Sequence, residues 1–577
     1  MLPPGAASML RGCRTWRTIA GHAESIAAHA VADAGFLDAA SVGEVRGFLQ
    51  EMADHGLLVG RREAARFLPA MPNAPRPIET LAIVTCDRPN LLNRCVRSFA
   101  QNVKSSGRSV EFIVSDDSRD QANQLANRES LLTIVREFGL SIRYAAKRGR
   151  GAFSDSLARE AGVDPEIARF GFSGSGGAQQ AAFGANRNAM LMECAGEPFL
   201  TSDDDVVCRL SAAPDAREPV TFCRGEDPIE FWFHPSQDEA LAAWPAADED
   251  VFELHERYLG RTGWDCAARA ANEWNMTAPA AELTHFGPKS VIATYSGILG
   301  DNAYTKPAIY LLLRGASRVR LHTSEQAYRD AYKGRQVLRV ARRPVVGSLP
   351  GTTTLAGFDA RMLPPFVPVF RNEDALFGAL VRRAMPDCSF AQIPFAIQHA
   401  PWPPRTHSDD GVIWCRPECV TFASLLSACL ECGPAIHAGV PAPEGLTAVG
   451  RHLRSLGALS NEDFRRAVLP VLLNMMAAFI ALTGELLVLH EGEPAYWAQD
   501  LVRHRDQVIG NAQSPEFCVP RELVNEGPPE EALARARSLV RRFGAFLEAW
   551  PALYECGCEL RRREVRLSRP VHQSAPA

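Results

Sequence analysis

The chain has 577 residues, too many for one hydrophobic core, and its 46% apolar and 22% charged residues are the balance of a soluble protein of several domains. A formal net charge of −5 excludes a general attraction to nucleic acid or anionic membrane. Residues 1–17 hold Pro3, Pro4, Arg11, Arg14 and Arg17 with no continuous apolar run, unlike a secretory signal, and the 15 cysteines are scattered, as the reduced thiols of a cytoplasmic protein are.

Residues 1–77 read as a small helical module. Ser41-Val42-Gly43-Glu44 has capping-box spacing, and Val42, Val45, Phe48, Leu49 and Met52 then recur at helical spacing up to a C-cap at Gly56. A strand over Leu57-Leu58-Val59 would make the unit winged-helix-like. Without a basic recognition helix, docking to another protein suits it better than DNA binding. Pro69, Pro72, Pro75 and Pro77 mark a stiff linker.

From Ile78 the texture changes to alternating strands and helices. Strands are predicted over Leu81–Thr85, Val110–Ser115, Ser141–Ala145 and Pro198–Thr201, and helices over Asn90–Gln101 and Leu131–Phe138. That order makes a doubly wound sheet, whose ligands sit beyond the carboxyl ends of its strands. Asp116-Asp117-Ser118 and Ser202-Asp203-Asp204-Asp205 both lie at such ends. Lys147-Arg148-Gly149-Arg150 reads as a solvated loop. It opens an insertion over Lys147–Phe183, either a mobile active-site loop or a surface insertion, with Ser173-Gly174-Ser175-Gly176-Gly177 inside it.

After Thr406 the pattern is helical, with apolar spacing over Leu446–Leu459, Phe464–Leu489 and Ala532–Trp550. The apolar segment Ala467–Thr483, with Pro470 and Asn474, is shorter than the roughly 20 residues of a membrane span and reads as a buried helix, so no integral membrane segment is expected. Cys415, Cys419, Cys429 and Cys432 have imperfect zinc spacing in an apolar setting and read as buried thiols. Residues 568–577 read as a frayed end. Three regions result: a helical module (1–77), an α/β domain (78–405) and a helical domain (406–577).

Three consecutive carboxylates at a strand end suit Mg²⁺ or Mn²⁺, which take hard oxygen ligands. Side chains alternate along an extended segment, so Asp203 and Asp205 are expected to face a metal together, with Asp204 directed elsewhere or towards a ribose. A helix cap or solvated turn is the alternative for such a cluster.

Several short motifs occur together in one order: Ala82-Ile83-Val84-Thr85 with Arg88-Pro89, Phe112–Ser118, Gly184-Ala185-Asn186-Arg187-Asn188, Ser202–Asp205, Ala356-Gly357-Phe358-Asp359, Arg371-Asn372-Glu373-Asp374, and His399 in Gln398-His399-Ala400-Pro401. In this the chain resembles the family-2 glycosyltransferases. The resemblance covers 78–405 and implies a GT-A-type doubly wound mixed sheet, here between an N-terminal winged-helix-like helical module and a C-terminal helical domain. It implies hexosyl transfer from a nucleotide-sugar donor to an acceptor hydroxyl, metal-dependent and inverting. Thr85, Arg88, Asp117, Arg187, Asn188, Asp203 and Asp204 would bind the donor, and Asp203, Asp205 and His399 would hold Mg²⁺ or Mn²⁺. Asp374 would be the general base and Glu373 its neighbour on the acceptor side, both at the start of a helix over Glu373–Met385 whose positive end keeps carboxylates ionised. The same two acids would otherwise only cap that helix. The acceptor is not specified, because the long stretch between Asp205 and Gly357 follows no family pattern.

Two other functions compete. A sugar-phosphate nucleotidyltransferase would place a Gly-rich loop after the first strand, where this chain has Thr85-Cys86-Asp87-Arg88-Pro89. A degenerate transferase serving as a binding scaffold would have no need to keep Asp203, Asp205, Glu373 and Asp374.

Overall fold

The computed structural model describes residues 13, 17–32, 42–58, 60, 63, 76–174, 183–217, 220–223, 228–270, 282, 285–303, 307–406, 420–514, 516–524 and 527–573. Near the N-terminus, α1 (Ile19–Ala32) and α2 (Val42–Asp54) pack through Ala23, Val45 and Leu49. Gly56 ends α2 in the left-handed region (φ +70°), as its position predicts. The wing strand is not formed: Leu57 and Leu58 lie in the turn that closes α2, their amides bonded back to Met52 O. Ser41, Val59 and the prolines at 69, 72 and 75 lie outside the described residues.

The α/β body starts with β1 (Thr80–Thr85), α3 (Pro89–Ser105), β2 (Glu111–Asp116), α4 (Gln121–Phe138) and β3 (Ser141–Ala146). Next come α5 (Lys147–Ala161), α6 (Pro165–Ser173), α7 (Phe183–Glu193), β4 (Phe199–Asp203), β5 (Val206–Ala212), β6 (Thr221–Cys223) and β7 (Ile229–His234). The body continues through β8 (Ser290–Asp301), β9 (Gln336–Ala341), β10 (Val345–Gly347), β11 (Leu355–Phe358), α8 (Glu373–Ala384) and β12 (Cys388–His399). Among the described residues the mixed sheet has 13 strands, including β13 (Arg569–Pro570) near the C-terminus, in the main order β13-β3-β2-β1-β4-β11-β8-β12-β10-β6. The β3-β2-β1-β4 portion is parallel. From β1 the chain winds one way to β2 and β3, then returns to place β4 on the other side of β1. The crevice between β1 and β4 is therefore the switch point where a doubly wound sheet takes its ligand.

Both faces of β1 are covered, which is why Leu81-Ala82-Ile83-Val84 is apolar without alternation. Along β1, Leu81 and Ile83 join one core with α3 and α4, while Ala82 and Val84 join another with α6, α7 and α8. The second core runs on into the C-terminal helices α9 (Phe422–Glu431), α10 (Ala442–Gly457), α11 (Asn461–Leu489) and, beyond α12 (Ala495–Ala512), α13 (Pro529–Arg562). Trp550 Nε1 donates to Leu363 O at 2.7 Å and the Tyr554 hydroxyl accepts from Gly196 N, fixing α13 beneath the segment that leads to α8. After α13 the chain enters the sheet itself. β13 (Arg569–Pro570) pairs antiparallel with β3, and Ser568 N donates to the buried Glu193 at 2.9 Å. The end is thus not frayed through residue 573, because Val571 and Ser568 are buried in the body.

The insertion after β3 is not a loop over 147–173. It forms α5 and α6, whose Leu157, Ala168, Phe170 and Phe172 pack with Phe546 and Trp550 of α13. Residues 175–182 lie outside the description. The segment 467–483 is helical but not buried: of the 18 uncharged residues 467–484, only Val468, Leu472 and Thr483 are buried. It is the one described helix long and apolar enough to cross a membrane. Every described cysteine is a free thiol, while Cys415 and Cys419 fall outside the description.

α10 and α13 cross at backbone contact. A Cβ on Gly544 would lie 2.4 Å from Arg454 N, and one on Gly450 would lie 2.6 Å from Glu548 N. Backbone cannot yield as a side-chain tip can, so Gly544→Val is expected to cost about 3 kcal/mol. A melting temperature within a degree of wild type would show that this crossing is not tightly set.

Candidate functional site

β4 ends at Asp203, and Asp204 and Asp205 form the turn into β5. Strand alternation therefore stops two residues too early for the expected arrangement, and the three acids go to three surroundings. Asp203, its side chain 30% exposed, accepts from Arg187 Nη2 at 2.8 Å. Asp204 accepts from Thr85 Oγ1 at 2.7 Å and from Arg88 Nη1 at 3.2 Å. Asp205 accepts from the same Arg88 nitrogen at 3.3 Å and from Arg405 Nη2 at 3.2 Å, and its Oδ1 lies 3.2 Å from His399 Nε2. It is Asp204 and Asp205 that share a partner, not Asp203 and Asp205.

These surroundings set the charges. Burial and the neighbouring Asp205 push the Asp204 carboxyl up to about 7, against Arg88. Burial would raise Asp205 as well, but His399, Arg88 and Arg405 prevail and hold it well below the usual carboxylate range. For His399, burial would lower the imidazole, yet the Asp205 carboxylate outweighs it and raises the pKa. His399 Nδ1 donates to Asp301 O at 2.7 Å, which aims Nε2 at Asp205. Asp301 is itself held by a bidentate bond from the buried Arg335, Nε to Oδ2 at 2.8 Å and Nη2 to Oδ1 at 2.9 Å.

This donor set fits a divalent cation in one respect. Asp205 and His399 face each other, the ring oriented from behind by a backbone carbonyl, as ligating histidines are. Mg²⁺ asks little more of a protein than one or two such ligands, completing its shell with water and phosphate. Asp203 belongs instead to Arg187, and among the described residues no three His, Cys, Asp or Glu side chains gather about one metal position.

A second cluster adjoins the first through Arg187. This residue is 7% exposed on α7, which is buried from Gly184 to Glu193. Gly184 lets that helix lie against the chain before α8, where a Cβ would meet Val367 O at 1.8 Å. Arg187 donates from Nη2 to Asp203 and from Nε to Glu373 Oε1 at 3.3 Å, and its Nη1 is buried without a hydrogen-bond partner. Burial raises the Glu373 carboxyl, with Asp374 adding to the effect and Arg187 opposing it. Asp374 is less enclosed, and its Oδ1 accepts from Ala375 N at 2.8 Å, closing part of the first turn of α8. Just before these acids, Phe370 (φ +62°) and Asn372 (φ +68°) both hold left-handed conformations. Such conformations cost roughly 1–2 kcal/mol each outside glycine and collect where the backbone is held for a purpose.

A third corner lies at the end of β2. Asp116 is fully buried and consumed by Ser118 N, Asn127 Nδ2 and the Tyr144 hydroxyl. Asp117 instead faces the first turn of α5, 2.7 Å from Arg150 Nη2 and 3.2 Å from Lys147 Nζ. The basic run 147–150 is the first turn of α5 and not a loop; Lys147 and Arg148 are exposed, while Arg150 is 2% exposed.

Most of the residues expected from sequence converge on these three corners. Asn188 does not. Its Nδ2 donates to Gly171 O and Phe366 O, its Oδ1 accepts from Phe366 N, and no group is left for a ligand. Sequence reasoning missed Arg405, Asp301, Arg335, Arg150 and Lys147. Only Lys147 and Arg150 carried a signal, a basic run directly after a strand in a sheet whose strand ends bind ligands. In comparisons with known proteins, no family model, no curated protein and no solved structure matches the chain.

Proposed function

We propose that the chain is a nucleotide-sugar-dependent glycosyltransferase of GT-A type, with its donor site in the crevice between β1 and β4 and its acceptor site at the start of α8. The observation that best supports this reading is Arg187, a buried guanidinium between Asp203 and Glu373 with one nitrogen unpartnered. A buried donor left unsatisfied costs about 1–3 kcal/mol, and an anionic oxygen supplied by a ligand removes that cost.

Arg88 and Arg405, each with a side chain about two-fifths exposed, flank the same turn. The three arginines give a nucleoside diphosphate the charge-assisted donors it needs. Asp117, beside Lys147 and Arg150, is placed for the base or ribose. Asp374 takes the proton of the acceptor hydroxyl as its oxygen bonds to the anomeric carbon. The bond from that carbon to the diphosphate breaks in the same displacement, and its pair of electrons leaves with the nucleotide. Mg²⁺ or Mn²⁺, held by Asp205 and His399, would supply Lewis-acid neutralisation of the leaving diphosphate. The free thiols agree with a cytoplasmic reaction.

Asp205→Asn keeps the side-chain shape and removes the charge. It is expected to weaken Mn²⁺-dependent binding of nucleoside diphosphates about 10–100-fold. Calorimetric titration with and without Mn²⁺ checks this, and unchanged affinity with unchanged metal dependence would remove the site from the proposal.

A further inference from the structure

The strand ladder stops short of the two residues that a nucleotide would span. β1 and β2 pair as far as Thr85 and Asp116, and Asp117 N donates to Thr85 O at 2.9 Å. Arg88 and Asp117 lie at or past that point, on chains that diverge into α3 and α4. A nucleoside diphosphate with its base or ribose at Asp117 and its diphosphate at Arg88 needs the two at a set separation. The sheet alone does not supply that.

Asp87 bridges the two chains beyond the ladder. Its backbone N donates to Ser118 Oγ at 2.7 Å. Its Oδ1 accepts from Arg119 N at 3.0 Å, Asp120 N at 3.2 Å and Asn123 Nδ2 at 3.2 Å, around the start of α4. To make these contacts Asp87 takes a left-handed backbone (φ +55°), which residues other than glycine adopt rarely, Asp and Asn more readily than most. Ser118 is fixed in turn, being 1% exposed with its N donating to Asp116 Oδ1 at 2.7 Å. Between them, Cys86 Sγ donates to Asp117 O at 3.4 Å. The residue just before Arg88 is thus bonded to the residue just after Asp117.

We propose that Asp87 is a positioning residue for the nucleotide, fixing the span between Arg88 and Asp117 without itself touching the base or the diphosphate. The inference rests on the donor site of the proposed transferase. The clamp uses an acceptor oxygen rather than a charge, since each group on Oδ1 is a neutral N–H donor. Asp87→Asn keeps that oxygen and tolerates the left-handed backbone. Asp87→Gly keeps only the backbone, and Asp87→Ala keeps neither.

The test is calorimetric titration of the full chain with uridine, guanosine and adenosine diphosphates in Mn²⁺, the tightest of the three being carried through the variants. Asp87→Ala and Asp87→Gly are each expected to weaken its binding about tenfold, the scale for losing a group that orients a contact, with Asp87→Asn within about threefold of wild type. In an Asp117→Ala background, Asp87→Ala is expected to weaken binding no further, because with one corner gone the span no longer matters. A merely structural role would add the same loss in both backgrounds. Should Asp87→Ala not fold, as judged by its melting temperature, Ser118→Ala removes the other bond of the clamp and enters the same cycle. Three results would overturn the proposal: full affinity in Asp87→Ala or Asp87→Gly, an Asp87→Asn no better than Asp87→Ala, or equal losses in the two backgrounds. A wild type that binds none of the three diphosphates, or binds them equally well after Asp117→Ala, would instead remove the donor site and the clamp with it.

Discussion

Asp374→Asn is expected to slow sugar transfer by about 10²–10⁴-fold, the usual worth of a general base, while leaving nucleotide affinity unchanged. The reasoning is positional. Asp374 stands at the N-terminus of α8 and touches none of Arg88, Arg187 and Arg405, the proposed diphosphate contacts; only its Oδ1 is engaged, by Ala375 N. Glu373 is bound to Arg187 and lies deeper, so Glu373→Gln should cost less in turnover and more in stability. Slow hydrolysis of the donor serves as the assay until an acceptor is known, with nucleotide binding measured on the same proteins. Near-normal turnover of Asp374→Asn with a dead Glu373→Gln would reverse the two roles. Normal turnover of both would reduce the pair to a helix cap and leave the inverting mechanism unsupported.

Arg187→Met is expected to have a large effect on stability. It removes the one cation between Asp203 and Glu373 while keeping most of the side-chain volume. Breaking a buried ion pair by deleting one partner typically costs 3–5 kcal/mol, because the remaining charge has no compensation. Asp203 is 30% exposed and can be hydrated, so about 3 kcal/mol is the appropriate end of that range. Denaturant or thermal unfolding measures it. Glu373→Gln in the Arg187→Met background should recover part of the loss, since a neutral amide does not need the guanidinium. A double variant no more stable than Arg187→Met would show that Glu373 and Arg187 are not energetically coupled.

The first strands and helices were legible because each is a local pattern. Leu81–Thr85 and Ser141–Ala145 are apolar runs of strand length, bounded by turn residues, and they were placed within a residue of β1 and β3. The helix at Glu373 was found from its acidic first turn and apolar spacing. The α/β class and a doubly wound sheet follow from the order of such segments, which a chain carries in one dimension. Errors came where a local pattern was continued past its element. The alternation argument for Asp203 and Asp205 failed because β4 stops at Asp203 and the next two residues turn. Asn188 looked available because its position in a motif says nothing of Gly171 and Phe366, which take its amide.

Exposure could not be read from composition at all. The apolar run in α11 looked like core, for hydrophobicity states what a helix would gain by burial, not whether neighbours exist to provide it. Likewise, Arg405 lies 200 residues from Asp205, Arg335 lies 34 from Asp301, and Arg187 lies 186 from Glu373. Sequence carried the acids themselves, their strand-end positions and the chemistry that carboxylates offer. Which cation each acid meets, and hence which carboxyl is raised and which is held ionised, was settled only when the folded sheet brought distant strand ends together. Coulomb energy depends on separation in space and on local solvent exclusion, and neither is a function of distance along the chain.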